Sequence, residues 1–157
     1  MRIWRICRNR HASAAFSGEG ARRGSARWNS AGVPIAYTSE ALSLAAIEYL
    51  VHVDSEDMSD DLMAICAEVP IDHDKIAAQK KQMLSKLGKE WKFDIPSSQR
   101  IGNEWANGLK SLWLPVPSVV IDVEWNILIN PLHAAFATMK IVQQRPFGFD
   151  ERMFKQR

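Results

Sequence analysis

The chain has 157 residues, 46% of them hydrophobic and 24% charged, with a formal net charge of +2; this is the composition of an ordinary soluble globular protein and favours one domain over residues 1–157. No apolar stretch approaches the roughly 20 residues that cross a bilayer, and no signal-peptide pattern opens the chain, so we expect a cytoplasmic protein without a membrane partner. Two distant cysteines, Cys7 and Cys66, form no CxxC pair and are expected to be reduced and buried.

The first third of the chain predicts two strands, a long loop and a helix. Side chains alternate at the N-terminus as in a strand. Four glycines and several serines then indicate a loop of a length that is usually functional or disordered. Thr38 or Ser39 can cap the helix that follows. The predicted elements are a strand over residues 1–7, one or two helical turns over 11–16, a loop over 17–32, a strand over 34–37 and a helix over 40–51.

The remainder mixes helices and strands without a steady βαβ rhythm. This irregular order favours an α+β fold, a single compact domain with a mixed or antiparallel sheet. Ser97 or Ser98 can cap a helix that runs to Lys110. The other predicted elements are an acidic connection over residues 54–61, strands over 62–69, 111–114, 118–123 and 139–144, a surface helix over 74–87, an irregular segment over 89–97 and a turn at 130–133 that leads into a short helix.

Glu48 is the clearest anomaly within a predicted element. In its helix the residues three, four and seven positions earlier are Ala45, Leu44 and Ala41, so the carboxylate lies on a stripe that should face the core. Glutamate is almost never fully buried without a partner, because desolvating the charge costs several kcal/mol. Glu48 therefore needs a cation, hydrogen-bond donors or a water-accessible cleft, which leaves open a structural ion pair with an N-terminal arginine or a site carboxylate.

Positive charge is concentrated before residue 31. Seven arginines stand there against one acid, a net charge of +6, whereas residues 31–157 carry −4. This division suggests a partner with phosphates, either a small anion or a nucleic acid. Within the glycine-flanked loop, the Arg27 guanidinium can grip a pyrophosphate or a carboxylate with two parallel hydrogen bonds, although a solvated loop arginine is the commoner case. Trp28 can stack on a planar ligand or, more commonly, anchor the loop to the core.

Three further polar residues are candidates for a site. Tyr37 ends its strand just before the Glu48 helix, which can put phenol and carboxylate on one cleft, although a core tyrosine with its hydroxyl at the rim is commoner. Ser118 opens an apolar run and should hydrogen-bond a backbone group or a ligand, but it is not in a G-x-S-x-G elbow. His133 could act as a base, but a histidine in a turn is more often structural. No metal-ligand spacing, dinucleotide fingerprint or P-loop is present.

Taken together, these positions resemble the RES domain family, named after an arginine, a glutamate and a serine, whose members are toxins of bacterial toxin–antitoxin pairs. The match runs in order through almost the full length, and it departs at Ser25-Ala26, where a glycine pair is usual. The matching segments are GSARWNS at residues 24–30, PIAY at 34–37, AAIEYL at 45–50, VPSV at 116–119, NPLH at 130–133 and PFGFD at 146–150.

The resemblance implies a fold similar to ADP-ribosyltransferase toxins and an enzyme that degrades NAD. In the family the nicotinamide–ribose bond is broken with water or, in some members, inorganic phosphate as the acceptor. NAD is then the substrate, phosphate a possible co-substrate, and neither a cofactor nor a metal is implied. The family also implies a homodimer and an Xre-like antitoxin protein that blocks the active-site entrance.

Carried onto this sequence, the resemblance implies catalytic roles for four residues. Glu48 would stabilise the oxocarbenium-like ribose. Arg27 would hold the pyrophosphate or the nicotinamide ribose, Tyr37 would stack on nicotinamide or fix the ribose, and Ser118 would hydrogen-bond in the same pocket. The weaker, substrate-binding candidates are Arg5, Trp28, Asn29 and Asn130.

Two other functions remain as alternatives. ADP-ribosyl transfer to a protein or a nucleic acid shares the first half-reaction and differs only in the acceptor. A nucleic-acid-binding module could use the arginine-rich N-terminus. The basic residues follow no RRM, helix-turn-helix or finger pattern, and the rest of the chain is acidic, so we expect no direct nucleic-acid binding.

Overall fold

The computed structural model describes residues 1–53 and 59–154, and in that part of the chain six strands form one sheet accompanied by four α-helices. Every neighbouring pair of strands is antiparallel, in the order β4-β5-β2-β1-β3-β6, so the predicted α+β fold is confirmed. The strands are β1 (Arg2–Arg8), β2 (Ala36–Ser39), β3 (Leu62–Glu68), β4 (Trp113–Pro117), β5 (Trp125–Ile129) and β6 (Lys140–Phe147). The helices are α1 (Glu19–Arg23), α2 (Leu42–Leu50), α3 (His73–Lys86) and α4 (Ile95–Gly108).

The centre of the sheet opens between β1 and β2. β1 pairs with β3 along seven residues, whereas its register with β2 consists of the single pair Trp4 and Ser39. The two strands therefore diverge, and side chains of both, Arg5 and Tyr37 among them, line a cavity beside the sheet. This divergence positions the site described below.

Apolar residues of the strands form the core on both faces of the sheet. Ile3, Ile65 and Ile127 are completely buried in one cluster. Cys7 and Cys66 are buried free thiols, as the sequence predicts. Burial raises the pKa of both thiols, since the thiolate would be desolvated there.

The predicted loop over residues 17–32 is partly helical. α1 lies inside it, and the side chain of Glu19 accepts hydrogen bonds from Arg22 and Arg23, one turn later. The glycine and serine content conceals this short helix, because both residue types have low helix propensity. The loop then closes with a bridge between Ala26 and Asn29.

The caps predicted for two helices are wrong. α2 begins after Ala41 without a side-chain cap, because the hydroxyls of Thr38 and Ser39 bond across the sheet to β5 instead. α4 begins at Ile95, earlier than predicted, and the carboxylate of Asp94 caps it by accepting the N–H of Ser97. At α2 the predicted capping hydroxyls bond to acceptors on β5, and at α4 the carboxylate of Asp94 takes the place of the predicted serine cap.

The predicted strand over residues 118–123 is a turn, and the strand that follows it, β5, is absent from the sequence prediction. The Ser118 hydroxyl accepts the N–H groups of Val120 and Ile121, which holds the backbone in a turn despite the apolar side chains. β4 runs through Pro115 and Pro117, which an edge strand tolerates because its outer N–H groups need no partner.

The remaining predictions hold within a few residues. β3, α3 and β6 lie where the sequence places strand, helix and strand, and the turn at residues 130–133 leads into a 3-10 helix over Ala134–Thr138. An acidic connection was predicted over residues 54–61, and residues 54–58 of it lie outside the part of the chain that the structure describes. Of the described helices, none is long and apolar enough to span a membrane.

The segment between α1 and β2, which carries Arg27 and Trp28, is called the arginine loop below. Substitution of Gly102 tests how α4 holds this loop. A Cβ at Gly102 would lie 1.9 Å from the carbonyl oxygen of Trp28, so Gly102→Ala must push loop and helix apart and should lower the free energy of unfolding by about 1–3 kcal/mol. Urea denaturation measures this change. Gly108→Ala in the same helix, where the Cβ would meet nothing within 4 Å, is the matched control and should be neutral or slightly stabilising. Equal stability of the two variants would contradict the close approach.

Candidate active site

A cavity of about 590 Å³ lies where β1 and β2 diverge, between α2 and the loop that follows α1. Its volume is in the range of pockets that hold small ligands. Five of the eight predicted site residues line it: Arg5, Arg27, Trp28, Tyr37 and Glu48. Glu48 and Arg27, which are far apart in sequence, therefore share one cavity.

Glu48 is half-buried on α2, and one oxygen of its carboxylate is firmly held. Oε1 accepts a hydrogen bond of 2.8 Å from the Ser118 hydroxyl and one of 2.6 Å from Nδ2 of Asn126. Within residues 1–53 and 59–154, no ion pair involves Glu48 and no donor reaches Oε2. The structural ion pair that the sequence left open is thus not found there, and Oε2 is the oxygen available to a bound molecule.

Ser118 is fully buried and reaches Glu48 from the turn after β4. Its hydroxyl oxygen accepts two backbone N–H groups, from Val120 at 3.1 Å and Ile121 at 2.9 Å. With both lone pairs engaged, its only hydrogen is directed to Glu48. The sequence left a backbone group and a ligand as alternative partners, and the structure adds a carboxylate of the protein.

Three polar residues that line the cavity, Ser39, His52 and Asn126, were not predicted as site residues. Asn126 donates to Glu48, and Ser39 in turn donates to Oδ1 of Asn126 at 2.6 Å. Nδ1 of His52 lies 2.7 Å from the main-chain oxygen of Glu48, four residues earlier. The sequence does show Asn126 as a polar residue directly before the apolar run Ile127–Ile129. It becomes a candidate site residue only once that run is assigned as a strand.

The loop that carries Arg27 is anchored by its two neighbours. Trp28 is 3% exposed and packs in the core with its ring 6.3 Å from that of Trp91, so it anchors the loop as the commoner interpretation has it. Asn29 is fully buried and donates from Nδ2 to the carbonyl oxygens of three loop residues, Ala21, Gly24 and Ser30. Arg27 itself is half-buried and makes one long contact of 3.5 Å to a main-chain oxygen, which leaves most of its donors for a ligand.

The Tyr37 hydroxyl links β2 to Trp28 and Asn29 of the loop through two hydrogen bonds. It accepts the N–H of Trp28 at 3.1 Å and donates to Oδ1 of Asn29 at 2.8 Å. Burial raises the pKa of Tyr37 well above its usual range, although the Trp28 N–H and the charge of Arg27 oppose the shift. The hydroxyl therefore stays neutral and serves the loop, and the ring is the part of Tyr37 that borders the cavity.

Arg5 is a half-buried cation at the cavity wall. Its Nη1 donates to the Tyr37 carbonyl at 2.8 Å, and its buried Nε has no partner among the described residues. Burial lowers the pKa of the guanidinium, and the nearby Cys7 opposes the shift. An anion in the cavity would supply the missing counter-charge.

Two predicted substrate-binding residues lie outside the cavity lining. All polar atoms of the Asn29 side chain serve the loop, as described above. Asn130 is fully buried with Nδ2 donating to Ala106 and Oδ1 accepting from Leu132, so its side chain stabilises the backbone. The geometry gives neither asparagine a substrate contact. His133 caps the following 3-10 helix through Nδ1, which is a structural role.

The basic N-terminus does not form one continuous surface. Arg2 pairs with Glu68, and Arg22 and Arg23 both pair with Glu19. Arg5 and Arg27 border the cavity instead. In the part of the chain that the structure describes, no group of three or more histidine, cysteine or acidic side chains is arranged to hold a metal ion.

The model of the RES domain matches residues 2–150, a range that contains every residue of this cavity. The chain belongs to the RES domain family. RES relatives cover nearly all of it. It is 30% identical over 158 residues to "Toxin Res" of Photorhabdus laumondii subsp. laumondii, covering 99% of this chain and 98% of that protein. It is 33% identical over 156 residues to "Toxin Res" of Pseudomonas putida, covering 98% and 100%. It is also 30% identical over 157 residues to the "Prs ADP-ribosylating toxin" of a Sphingobium species, covering 98% and 96%.

Tyr37→Phe tests whether the hydroxyl holds the arginine loop of this RES domain. The variant leaves the Trp28 N–H and Asn29 Oδ1 unsatisfied and should lower the free energy of unfolding near pH 8 by about 1–3 kcal/mol. The difference should shrink above about pH 10, where an unfolded tyrosine loses its proton but the folded one keeps it, so that only the wild type loses stability through this group. Urea unfolding from pH 8 to 11 measures both effects, and parallel curves for the two proteins would disprove the assignment.

Proposed function

We propose that this RES domain is the toxin of a bacterial toxin–antitoxin pair and that it depletes NAD by cleaving the nicotinamide–ribose bond. The observation that carries the proposal is the shared cavity of about 590 Å³, a volume within the range of small-ligand pockets, which both Glu48 and Arg27 line. The relatives named "Toxin Res" support the toxin function.

The chemistry of the bond suits a single free carboxylate. As the bond between the ribose carbon and nicotinamide breaks, its electron pair neutralises the pyridinium nitrogen and positive charge develops on the ribose. Oε2 of Glu48, which receives no hydrogen bond from residues 1–53 or 59–154, stabilises that charge or binds the ribose hydroxyls. Nicotinamide leaves as a neutral base, so no general acid has to protonate it.

The cations of the cavity suit the phosphates of NAD. Arg27 has most of its donors free and can bind the pyrophosphate in a bidentate manner. Arg5 offers a second positive charge whose burial is compensated when an anion binds. The ring of Tyr37 borders the same volume and packs against the nicotinamide or the ribose.

The proposal includes a partner protein. An Xre-like antitoxin that covers the cavity entrance would keep NAD out, and a homodimer would be the form of the toxin that it binds. The exposed side of the cavity, where Ser25 and Ala26 lie beside Arg27, is the surface that such a partner has to close.

Nicotinamide release from NAD, followed by chromatography, tests the two charged residues. Glu48→Gln and Arg27→Ala should each lower the rate by at least about 100-fold, because each removes a charge that the transition state needs. Both should keep the wild-type unfolding midpoint. Glu104→Gln and Arg100→Ala, an exposed pair on α4, are matched controls and should keep full activity. Near-normal turnover by both site variants would overturn the assignment.

The mass of the product identifies the acceptor. In buffer with and without inorganic phosphate, ADP-ribose indicates hydrolysis and a phosphorylated ADP-ribose indicates phosphorolysis. We expect one of these two to account for the NAD consumed.

ADP-ribosyl transfer is a second candidate function, favoured by the Sphingobium relative that is named an ADP-ribosylating toxin. It requires the same cleavage at Glu48 and a different acceptor. NAD carrying a label in its adenine distinguishes the two functions when cell extract is added. Label that becomes attached to protein or nucleic acid in stoichiometric amounts with nicotinamide release would favour transfer over degradation.

A further inference from the structure

We infer that Asn126, held in turn by Ser39, is a positioning residue that fixes Oε1 of Glu48 and so presents Oε2 to the ribose of NAD. The inference rests on the proposed function, since it assigns a role within the same site. It concerns two residues that the sequence analysis did not name as site residues.

The orientation of the Asn126 amide is determined by the Glu48 carboxylate, which only accepts hydrogen bonds, and Ser39 holds the other end of the amide. The two residues are direct partners in the register of β2 with β5, and the buried Ser39 hydroxyl donates to Oδ1 of Asn126 at 2.6 Å. With Oδ1 occupied by that donor, Nδ2 is the end that faces Glu48. The opposite orientation would place two acceptors, an amide oxygen and a carboxylate, against each other.

Two donors from different elements fix the carboxylate more completely than one. Ser118, in the turn after β4, defines a distance to Oε1, and the carboxyl group could still rotate about that single contact. Asn126 approaches the same oxygen from β5 and removes this freedom. Both donors act on Oε1 and none of the described residues on Oε2, so the arrangement leaves one oxygen unpaired beside the cavity.

Oε2 is not one of the buried side-chain atoms without a partner in the described part of the chain, and Glu48 lines the cavity. A ligand that carries positive charge or hydroxyl groups can therefore reach this oxygen without first breaking a bond to the protein. Asn126 therefore contributes to catalysis through Glu48, and removing it should affect the rate of cleavage more than the binding of NAD.

Kinetics of nicotinamide release separate these effects. Asn126→Ala and Asn126→Asp should lower kcat about 10- to 100-fold, the range expected for a misplaced catalytic group, with the KM for NAD changed less than threefold. Ser39→Ala should lower kcat less, because the bond from Asn126 to Glu48 survives. Asn107→Ala, at an exposed asparagine of α4, is the control and should leave kcat unchanged.

Binding to an inactive background distinguishes positioning from direct contact. In Glu48→Gln protein, calorimetry with NAD should give the same Kd with and without the Asn126→Ala change. A Kd weakened tenfold by that change would show that Asn126 contacts the substrate itself and would overturn the inference.

A crystal structure of Asn126→Ala gives a readout that does not depend on turnover. We expect the Glu48 carboxylate to leave its wild-type orientation or to occupy more than one. An unchanged carboxylate would overturn the positioning role even if NAD is the substrate. A wild-type protein that releases no nicotinamide, together with a displaced Glu48 in the variant, would instead contradict the proposed function and leave the positioning role supported.

Discussion

The electrostatics of the cavity follow from two neutral hydrogen bonds to one oxygen of Glu48. An arginine in the same place would hold the carboxylate equally well and would cancel its charge. Neutral donors orient the group and leave its negative charge at the cavity, which is the charge that the proposed cleavage requires beside the ribose. The turn at Ser118 and the strand β5 place these two donors beside Glu48.

The opposite wall of the cavity depends on the loop between α1 and β2, which is held in place by hydrogen bonds and packing among Trp28, Asn29 and Tyr37 of β2. Tyr37, Asn29 and Trp28 bond or pack with one another, and α4 comes close enough to contact them only because residue 102 is a glycine. Arg27 is thereby held at the cavity edge while its own donors stay mostly unused. Rigid support and a free functional group are thus divided between neighbouring residues, as a preorganised site requires.

How much of this the sequence could predict differs by element. Strands with strong alternation or long apolar runs, such as β1 and β3, were predicted, and so was the unusual environment of Glu48. β5 was missed because the preceding run, Val119 to Ile121, is just as apolar and was predicted as the strand. This run is a turn in the structure because the Ser118 hydroxyl accepts two of its N–H groups. Because β5 was not predicted, Asn126 was not recognised as a site residue. Its position opposite Ser39 follows only from the pairing of β2 with β5.

The arginines at the N-terminus show why net charge in a segment does not define a binding surface. The count of +6 suggested a phosphate-bearing partner of unspecified size. The fold pairs Arg2 with Glu68, and Arg22 and Arg23 with the one carboxylate of Glu19, while Arg5 and Arg27 line the cavity. A nucleic-acid surface needs several exposed cations that follow a backbone, whereas two cations at one cavity suit a small dianionic ligand. The geometry of Arg5 fits this interpretation: its Nε is buried without a partner among the described residues, and no carboxylate pairs with it there, so an anion in the cavity would offset the desolvation that lowers its pKa.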